Sequence, residues 1–157
     1  MHIKQRLTPF LTFKNQALEA AEFYVSVLPD SRVLRKVNNP QDGTILTVDF
    51  ELCGMKFIGL NAGQDWKFTE AFSLWVACED QDEIDRLWRE LIADGGSELA
   101  CGWLKDKFGL CWQIVPGQIE SWMASDQPEN LRRMLEALWG MKKLDITKLQ
   151  RAFDGHE

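Results

Sequence analysis

The feature that most constrains the fold of this chain is a strand, a helix and three further strands that follow one another in the same order twice. Aligning Asn15 with Asp80, each at the start of a helical pattern, brings the helix stop at residues 29–30 onto the stop at residues 94–95. Such self-similarity is typical of a chain built from two copies of one supersecondary unit. We therefore expect an α+β fold of paired βαβββ modules, with a curled, mainly antiparallel mixed sheet and additional C-terminal helices.

The first module is predicted over residues 1–65. Asn15 is a candidate N-cap for its helix, whose apolar residues recur at helical spacing until Pro29 ends the pattern. Period-two alternation and turn sequences rich in Asn, Asp and Gly mark the strands. The predicted strands are residues 7–13, 32–37, 44–52 and 55–60. This order predicts one complete βαβββ unit.

The second module is predicted over residues 66–120. Asp80 and Glu83 have the spacing of a capping box at the start of its helix, and Gly95 ends that helix. Asp106 and Gly109 supply turn chemistry between the last two strands, so a hairpin should close the sheet. The predicted strands are residues 71–77, 98–104 and 110–115, so at least two strands follow the helix in this βαβββ-like module.

Residues 121–157 are predicted to form a helical extension, and the three segments together one compact domain. Pro128 suits a first helical position, Gly140 ends that helix, and Asp145 can cap a second one. Apolar residues in this tail would be costly to leave in water, and open sheets leave unpaired edges. We therefore expect a homodimer whose interface the tail helps to bury.

Composition and charge exclude several classes of partner. A net charge of −6 without any basic run disfavours nucleic acid and anionic membranes. Residues 1–14 lack the pattern of a secretory signal, and no apolar run approaches membrane-spanning length, so we expect a cytoplasmic protein. Cys53, Cys78, Cys101 and Cys111 are widely spaced without CxxC pairs, which predicts free thiols.

Four segments carry a resemblance to a known group: FYVSVLPDS (23–31), CGWLKDKFG (101–109), WQIVP (112–116) and MKKLDI (141–146). With the repeated module, they resemble the PhnB-like group of the vicinal oxygen chelate superfamily, which includes glyoxalase, bleomycin resistance and dioxygenase proteins. This group often carries the label 3-demethylubiquinone-9 3-methyltransferase domain. The resemblance implies two modules whose sheets surround a cavity, and usually a homodimer. It does not by itself imply a reaction.

The resemblance also implies where a metal or cofactor would bind. Enzymes of the superfamily typically hold a divalent metal with His, Gln or Glu side chains from the first and last strands of the modules. The corresponding positions are Thr8, Ile58, Ser73 and Gln113, which offer no imidazole and no carboxylate. S-adenosylmethionine usually binds at a Gly-rich turn after a first parallel strand, and no such turn is visible. We therefore expect neither a tightly bound metal nor another cofactor.

Strand parity predicts which residues face the cavity, because successive side chains point to opposite faces. The predicted ligand-binding residues are Thr8, Phe10, Ser73, Trp75, Trp103 and Gln113. Gln113 has a second interpretation, as an amide that satisfies buried backbone groups, and the tryptophans could equally be core residues. Asp49 and Glu51 alternate with apolar residues, as expected either for the solvated face of a strand or for cavity groups.

Two functions fit these observations. The first is a module that binds a small, largely apolar ligand. The alternative is a metal-dependent enzyme of glyoxalase or dioxygenase type, or a methyltransferase as the group's label suggests. No catalytic residue can be assigned, and the missing metal ligands favour the first hypothesis. The sequence leaves open which ligand binds and whether any reaction is catalysed.

Overall fold

The computed structural model describes residues 1–156, which form two compact units divided between Lys67 and Phe68. Each unit contains an open, four-stranded mixed sheet, and the two sheets have equivalent strand orders. No helix among these residues is long and apolar enough to cross a membrane. The predicted fold of paired βαβββ modules followed by helices is confirmed, although the structure contains two separate open sheets where a curled sheet was expected.

The first unit is one sheet with a single helix against it. Its elements are β1 (Phe10–Phe13), α1 (Ala17–Val27), β2 (Arg32–Asn38), β3 (Ile45–Leu52) and β4 (Met55–Asn61). The strand order is β1-β4-β3-β2, with β1 parallel to β4 and the other pairs antiparallel. Strand β1 is shorter than the predicted residues 7–13, because Pro9 precedes it and has no backbone N–H to donate.

Helix α1 packs closely on this sheet because small residues line the contact on both sides. Ala17, Ala20 and Ala21 are fully buried. A Cβ atom on Gly59 of β4 would lie 3.3 Å from the Cβ of Ala17, so a larger residue there would push the helix outward. The helix covers one face of the sheet, whereas Phe10 on the other face is exposed.

The N-terminus of α1 is capped from a distant strand. The predicted cap, Asn15, is not the N-cap, which is Gln16 and makes no capping hydrogen bond through its side chain. Asn61 Oδ1 accepts from the Ala17 N–H at 2.9 Å, while Asn61 Nδ2 donates to the Ile45 carbonyl at 3.1 Å. The prediction for Asn15 is wrong because the local sequence cannot reveal a capping group supplied by β4.

The second unit repeats this plan and adds three helices. Its elements are β5 (Ser73–Cys78), α2 (Gln81–Ile92), β6 (Ser97–Glu98), β7 (Trp103–Lys105), β8 (Cys111–Pro116), α3 (Ile119–Met123), α4 (Pro128–Trp139) and α5 (Ile146–Asp154). The strand order is β5-β8-β7-β6, with β5 parallel to β8. Pro128 stands at the start of α4 as predicted, and the Asp145 side chain caps α5. Helix α3 has no counterpart among the predicted elements.

Helix α2 begins at the predicted cap. Asp80 Oδ1 accepts from the Glu83 N–H at 2.8 Å, and Glu83 Oε2 accepts from the Glu79 N–H at 2.8 Å. The second bond reaches one residue further back than a standard capping box. Ile84 and Leu87 on the inner side of the helix are fully buried, so α2 is fixed against one face of the sheet.

The strand predicted over residues 98–104 is interrupted. Strand β6 ends at Glu98, and β7 begins only at Trp103. Between them, Cys101 and Gly102 have φ angles of 61° and 81°, a left-handed conformation that a strand does not contain. Glycine favours this conformation but cysteine does not, so a left-handed turn of these two residues is not expected from the sequence.

The C-terminal helices pack on their own unit. Leu144 and Leu149 are fully buried in a cluster with Val115, Trp122 and Met134. Most of the apolar surface of the tail is therefore covered within its own unit, and a part for the tail in a dimer interface stays a prediction. The same packing shows that the extension belongs to the second unit.

Candidate ligand-binding face

The face of the second sheet opposite α2 carries three side chains in one row. Trp75 of β5 pairs with Gln113 of β8, and Trp103 of β7 pairs with Gln113 from the other side. Residues paired across adjacent strands point to the same face, so the two indoles flank the amide. At the usual strand spacing the two tryptophan backbones are about 10 Å apart. We call Trp75, Gln113 and Trp103 the aromatic row.

The amide of Gln113 is held in place by Ser73. Gln113 Nε2 donates to Ser73 Oγ at 2.9 Å. Ser73 lies two residues before Trp75 on β5 and therefore on the same face. This bond uses one N–H of the amide, and the carbonyl oxygen can still accept a hydrogen bond from a ligand. The row thus combines two apolar rings with one oriented polar group.

The row is accessible on one side and rigidly supported on the other. Trp75 is 48% exposed, and Trp103 and Gln113 are half-buried. Trp112 and Ile114, whose side chains point to the α2 side of β8, are almost completely buried. A ligand can therefore reach the indoles without opening the core.

The neighbouring row of the same face consists of Ser73, Cys111 and Lys105. Lys105 Nζ forms an ion pair with Glu70 Oε1 at 2.5 Å. The hydrogen bond to Lys105 lowers the pKa of Glu70, and the same bond raises the pKa of Lys105. The ammonium group and the carboxylate thus stabilise each other's charged form beside the aromatic row.

Cys78 and Cys111 have raised thiol pKa values and are therefore not activated nucleophiles. Burial raises the pKa of the Cys78 thiol to about 12 and also raises the pKa of Cys111. Lys105 acts in the opposite direction on Cys111 but does not overcome its burial. Because the thiolate is the reactive form, both residues remain protonated and unreactive near neutral pH.

The remaining predicted ligand-binding residues belong to the first unit. Phe10 is exposed on β1 and pairs with Ile58, and Thr8 is half-buried just before that strand. The structure therefore brings Ser73, Trp75, Trp103 and Gln113 onto one face of the second sheet, while Thr8 and Phe10 lie in the other unit. That all six line a common pocket stays a prediction.

Asp49, one of the two acidic residues that alternate with apolar residues in the sequence, lies on β3 of the first sheet. It pairs with Ile58 on the face opposite α1, yet it is only 5% exposed. Arg35 Nη2 lies 2.9 Å and Lys56 Nζ 3.2 Å from its Oδ2. The carboxylate is thus a buried charge held by two cations rather than part of a solvated face. Only the strand register, which places Arg35 opposite Asp49, could have indicated this arrangement.

The residues at the positions where the resemblance implies a metal site do not fit a divalent metal ion. Thr8 and Ser73 offer neutral hydroxyls, Gln113 offers an amide, and Ile58 offers a hydrocarbon side chain. Divalent transition metals are held in proteins mainly by imidazole, carboxylate and thiolate groups. Among residues 1–156 no group of three or more His, Cys, Asp and Glu side chains could hold a metal ion.

A cleft of about 600 Å³ lies elsewhere in the first unit, near the start of α1 and the β2–β3 hairpin. Its polar side chains are largely committed to the fold. Asn61 caps α1, Asn39 Oδ1 accepts from the Gln41 N–H, and Asp42 Oδ1 accepts from the backbone N–H and the hydroxyl of Thr44. Several polar groups that line this cleft already form hydrogen bonds within the protein, so fewer are available to bind a ligand.

Two βαβββ modules, each with an open sheet face, have the architecture of the glyoxalase/bleomycin resistance fold. More narrowly, the chain belongs to the 3-demethylubiquinone-9 3-methyltransferase family, the PhnB-like group, whose model matches residues 5–115. Segment 141–146, which carried part of the sequence resemblance, lies beyond this match. No protein of curated function matches the sequence.

Solved structures support the same assignment. The PhnB protein from Bacillus cereus shares 32% identity, with a TM-score of 0.66, over 71% of this chain and 99% of its own. Protein PA1353 from Pseudomonas aeruginosa has a TM-score of 0.55 at 16% identity over 69% of this chain and 95% of its own. The fosfomycin resistance protein FosX from Listeria monocytogenes has a TM-score of 0.54 at 11% identity over 76% of this chain and 98% of its own. The last two similarities show the fold alone.

Proposed function

We propose that this protein binds a small, largely apolar molecule on the aromatic row, without a tightly bound catalytic metal. The observation that carries the proposal is the pairing of Trp75 and Trp103 with Gln113 on one accessible sheet face. Two indoles supply apolar contact area, and the amide that Ser73 orients supplies one directional polar contact. A flat ring bearing a hydroxyl that donates to Gln113 Oε1 fits this chemistry.

The alternatives require groups that these positions do not offer. A metal-dependent glyoxalase or dioxygenase needs imidazole or carboxylate ligands where Thr8, Ile58, Ser73 and Gln113 stand. A methyltransferase of the doubly wound type needs a Gly-rich turn that opens a helix after a parallel strand. In both units the turn after the opening strand contains no glycine before the helix. The binding hypothesis therefore has the stronger support.

Isothermal titration calorimetry with a panel of mono- and bicyclic phenols, 2-naphthol among them, tests the proposal. Trp75→Ala and Trp103→Ala should each weaken binding about tenfold, equivalent to about 1.4 kcal/mol. Trp139→Ala is the matched control, because Trp139 is 63% exposed in the same unit but lies on α4. Absence of binding across the panel, or equal losses in all three variants, would contradict the proposal.

We further propose a homodimer. The support for it is the set of open sheet edges, since β1 and β2 end the first sheet and β5 and β6 end the second. Open edges leave backbone hydrogen-bonding groups that a second chain can satisfy. Strand β2 is the longest of these four strands.

A further inference from the structure

The segment between α4 and α5 lies against the turn that leads into Trp103. The Cys101 N–H donates to the Met141 carbonyl and the Gly102 N–H donates to the Lys142 carbonyl, each at 2.8 Å. Two consecutive backbone hydrogen bonds fix both the position and the direction of the turn. The family model ends at residue 115, so this contact comes from a part of the chain that the family domain does not include.

Leu144 packs directly on Gly102. A Cβ atom on Gly102 would lie 3.0 Å from both Cγ and Cδ1 of Leu144. On its other side, the Gly102 carbonyl accepts from the Ile114 N–H of β8 at 2.8 Å. Gly102 is therefore enclosed between the extension and β8, one residue before Trp103 enters the sheet.

The segment is itself anchored to α2 through Gln81. Gln81 Nε2 donates to the Leu144 carbonyl at 3.0 Å, and Gln81 Oε1 accepts from the Ile146 N–H at 2.8 Å. Lys143 Nζ pairs with Asp85 Oδ1 at 2.7 Å, one turn further along the helix. The extension therefore connects α2 to the turn before Trp103 by directional bonds at both ends.

The same extension limits the open face along β8. Val115 follows Gln113 by two residues and therefore points to the same side of the strand. It is buried in the cluster that contains Leu144 and Leu149. The accessible part of the face thus ends at Val115, the next residue of β8 on that side after Gln113.

We propose that segment 141–144 is a positioning element that fixes the indole of Trp103 and thereby sets the affinity of the aromatic row. The positional statement stands on contacts within the second unit, whereas the effect on affinity rests on the proposed function. The segment lies outside the residues that the family model matches, yet it contacts the turn before Trp103 inside that match.

The decisive comparison is Leu144→Ala against Leu149→Ala. Both leucines are fully buried in one cluster, so both variants lose the same core volume, but Leu144 is the one that packs on Gly102. Protein labelled with 5-fluorotryptophan gives one ¹⁹F NMR signal per tryptophan, and Trp103→Phe assigns the relevant signal. Leu144→Ala should shift or broaden the Trp103 signal and weaken 2-naphthol binding about tenfold. Leu149→Ala should leave both unchanged.

If Leu144→Ala does not fold, Gln81→Ala releases the segment without removing core volume and should move the same signal. A Trp103 signal that is unaffected in the folded variants, or that moves equally in Leu149→Ala, would overturn the proposal. If the signal moves as expected but wild-type protein binds no 2-naphthol, the positioning role stands and the proposed function fails. The two ideas are therefore tested separately.

Discussion

The carboxylate of Asp106 accepts a hydrogen bond from the indole Nε1 of Trp112 across 2.9 Å, which joins the β7–β8 turn to the strand that carries Gln113. The other carboxylate oxygen accepts from the backbone N–H groups of Phe108 and Leu110 at 2.8 and 3.1 Å. Asp106 is only 2% exposed, so these bonds lie in the interior. A residue that the sequence indicated only as turn chemistry thus supports the hairpin that presents the aromatic row.

Asp106→Ala should lower the free energy of unfolding by about 3 kcal/mol, because two buried donors and one partly buried donor lose a charged acceptor. Asp106→Asn should cost less, since its carbonyl oxygen can still accept. Urea denaturation of the two variants measures the difference. Equal stability of wild type and Asp106→Ala would show that the turn forms without this carboxylate.

The ion pairs of Asp49 with Arg35 and Lys56 predict that removing the carboxylate destabilises the protein less than removing the two cations. Asp49→Asn should cost about 1 kcal/mol, because Arg35 and Lys56 are partly exposed and can return to water. The double variant Arg35→Met/Lys56→Met should cost roughly 3 kcal/mol, because it leaves a buried carboxylate without a cation. Urea denaturation at neutral pH compares them. A larger loss for Asp49→Asn would contradict the burial of this charge.

The Cys78 thiol predicts how stability changes at alkaline pH. Its pKa is raised from 9.0 to about 12 in the folded protein, chiefly by burial. The unfolded chain releases this proton at lower pH than the folded chain. The stabilisation that comes from burying the neutral thiol is therefore fully present below about pH 9 and is lost as pH rises towards 12. Unfolding free energies at pH 8 and 10 should therefore fall less in Cys78→Val than in wild type. Parallel pH profiles would contradict the burial effect.

Much of this architecture follows from sequence because strand alternation and helical spacing are local. Alternation placed Trp75 and Gln113 on one face before any register was known. The capping of α1 by Asn61 and the burial of Asp49 depend on contacts between distant strands, which no local pattern encodes. The interruption before Trp103 depends on Cys101, a residue without preference for left-handed backbone. The sequence therefore predicts which residues lie on the open sheet faces, but it does not predict the hydrogen bonds and ion pairs between distant residues that hold those faces in place.

The proposed homodimer is tested by light scattering at micromolar concentration. The expected mass is twice the chain mass of 18.1 kDa. If β2 supplies the paired edge, Leu34→Lys should weaken association, because Leu34 is partly exposed on that strand and a charge would oppose close pairing. Trp139→Lys on α4 is the control. A monomeric wild type would contradict the dimer, and an unaffected Leu34→Lys dimer would exclude this edge.

The most direct test of ligand binding on the aromatic row is an isotope-filtered NMR measurement of nuclear Overhauser contacts between 2-naphthol and labelled protein. The account predicts contacts from the naphthol ring to the indole protons of both Trp75 and Trp103, and their loss in Trp75→Ala. Contacts confined to Trp66, to Trp139 or to the cleft lined by Asn39 and Asn61 would contradict it.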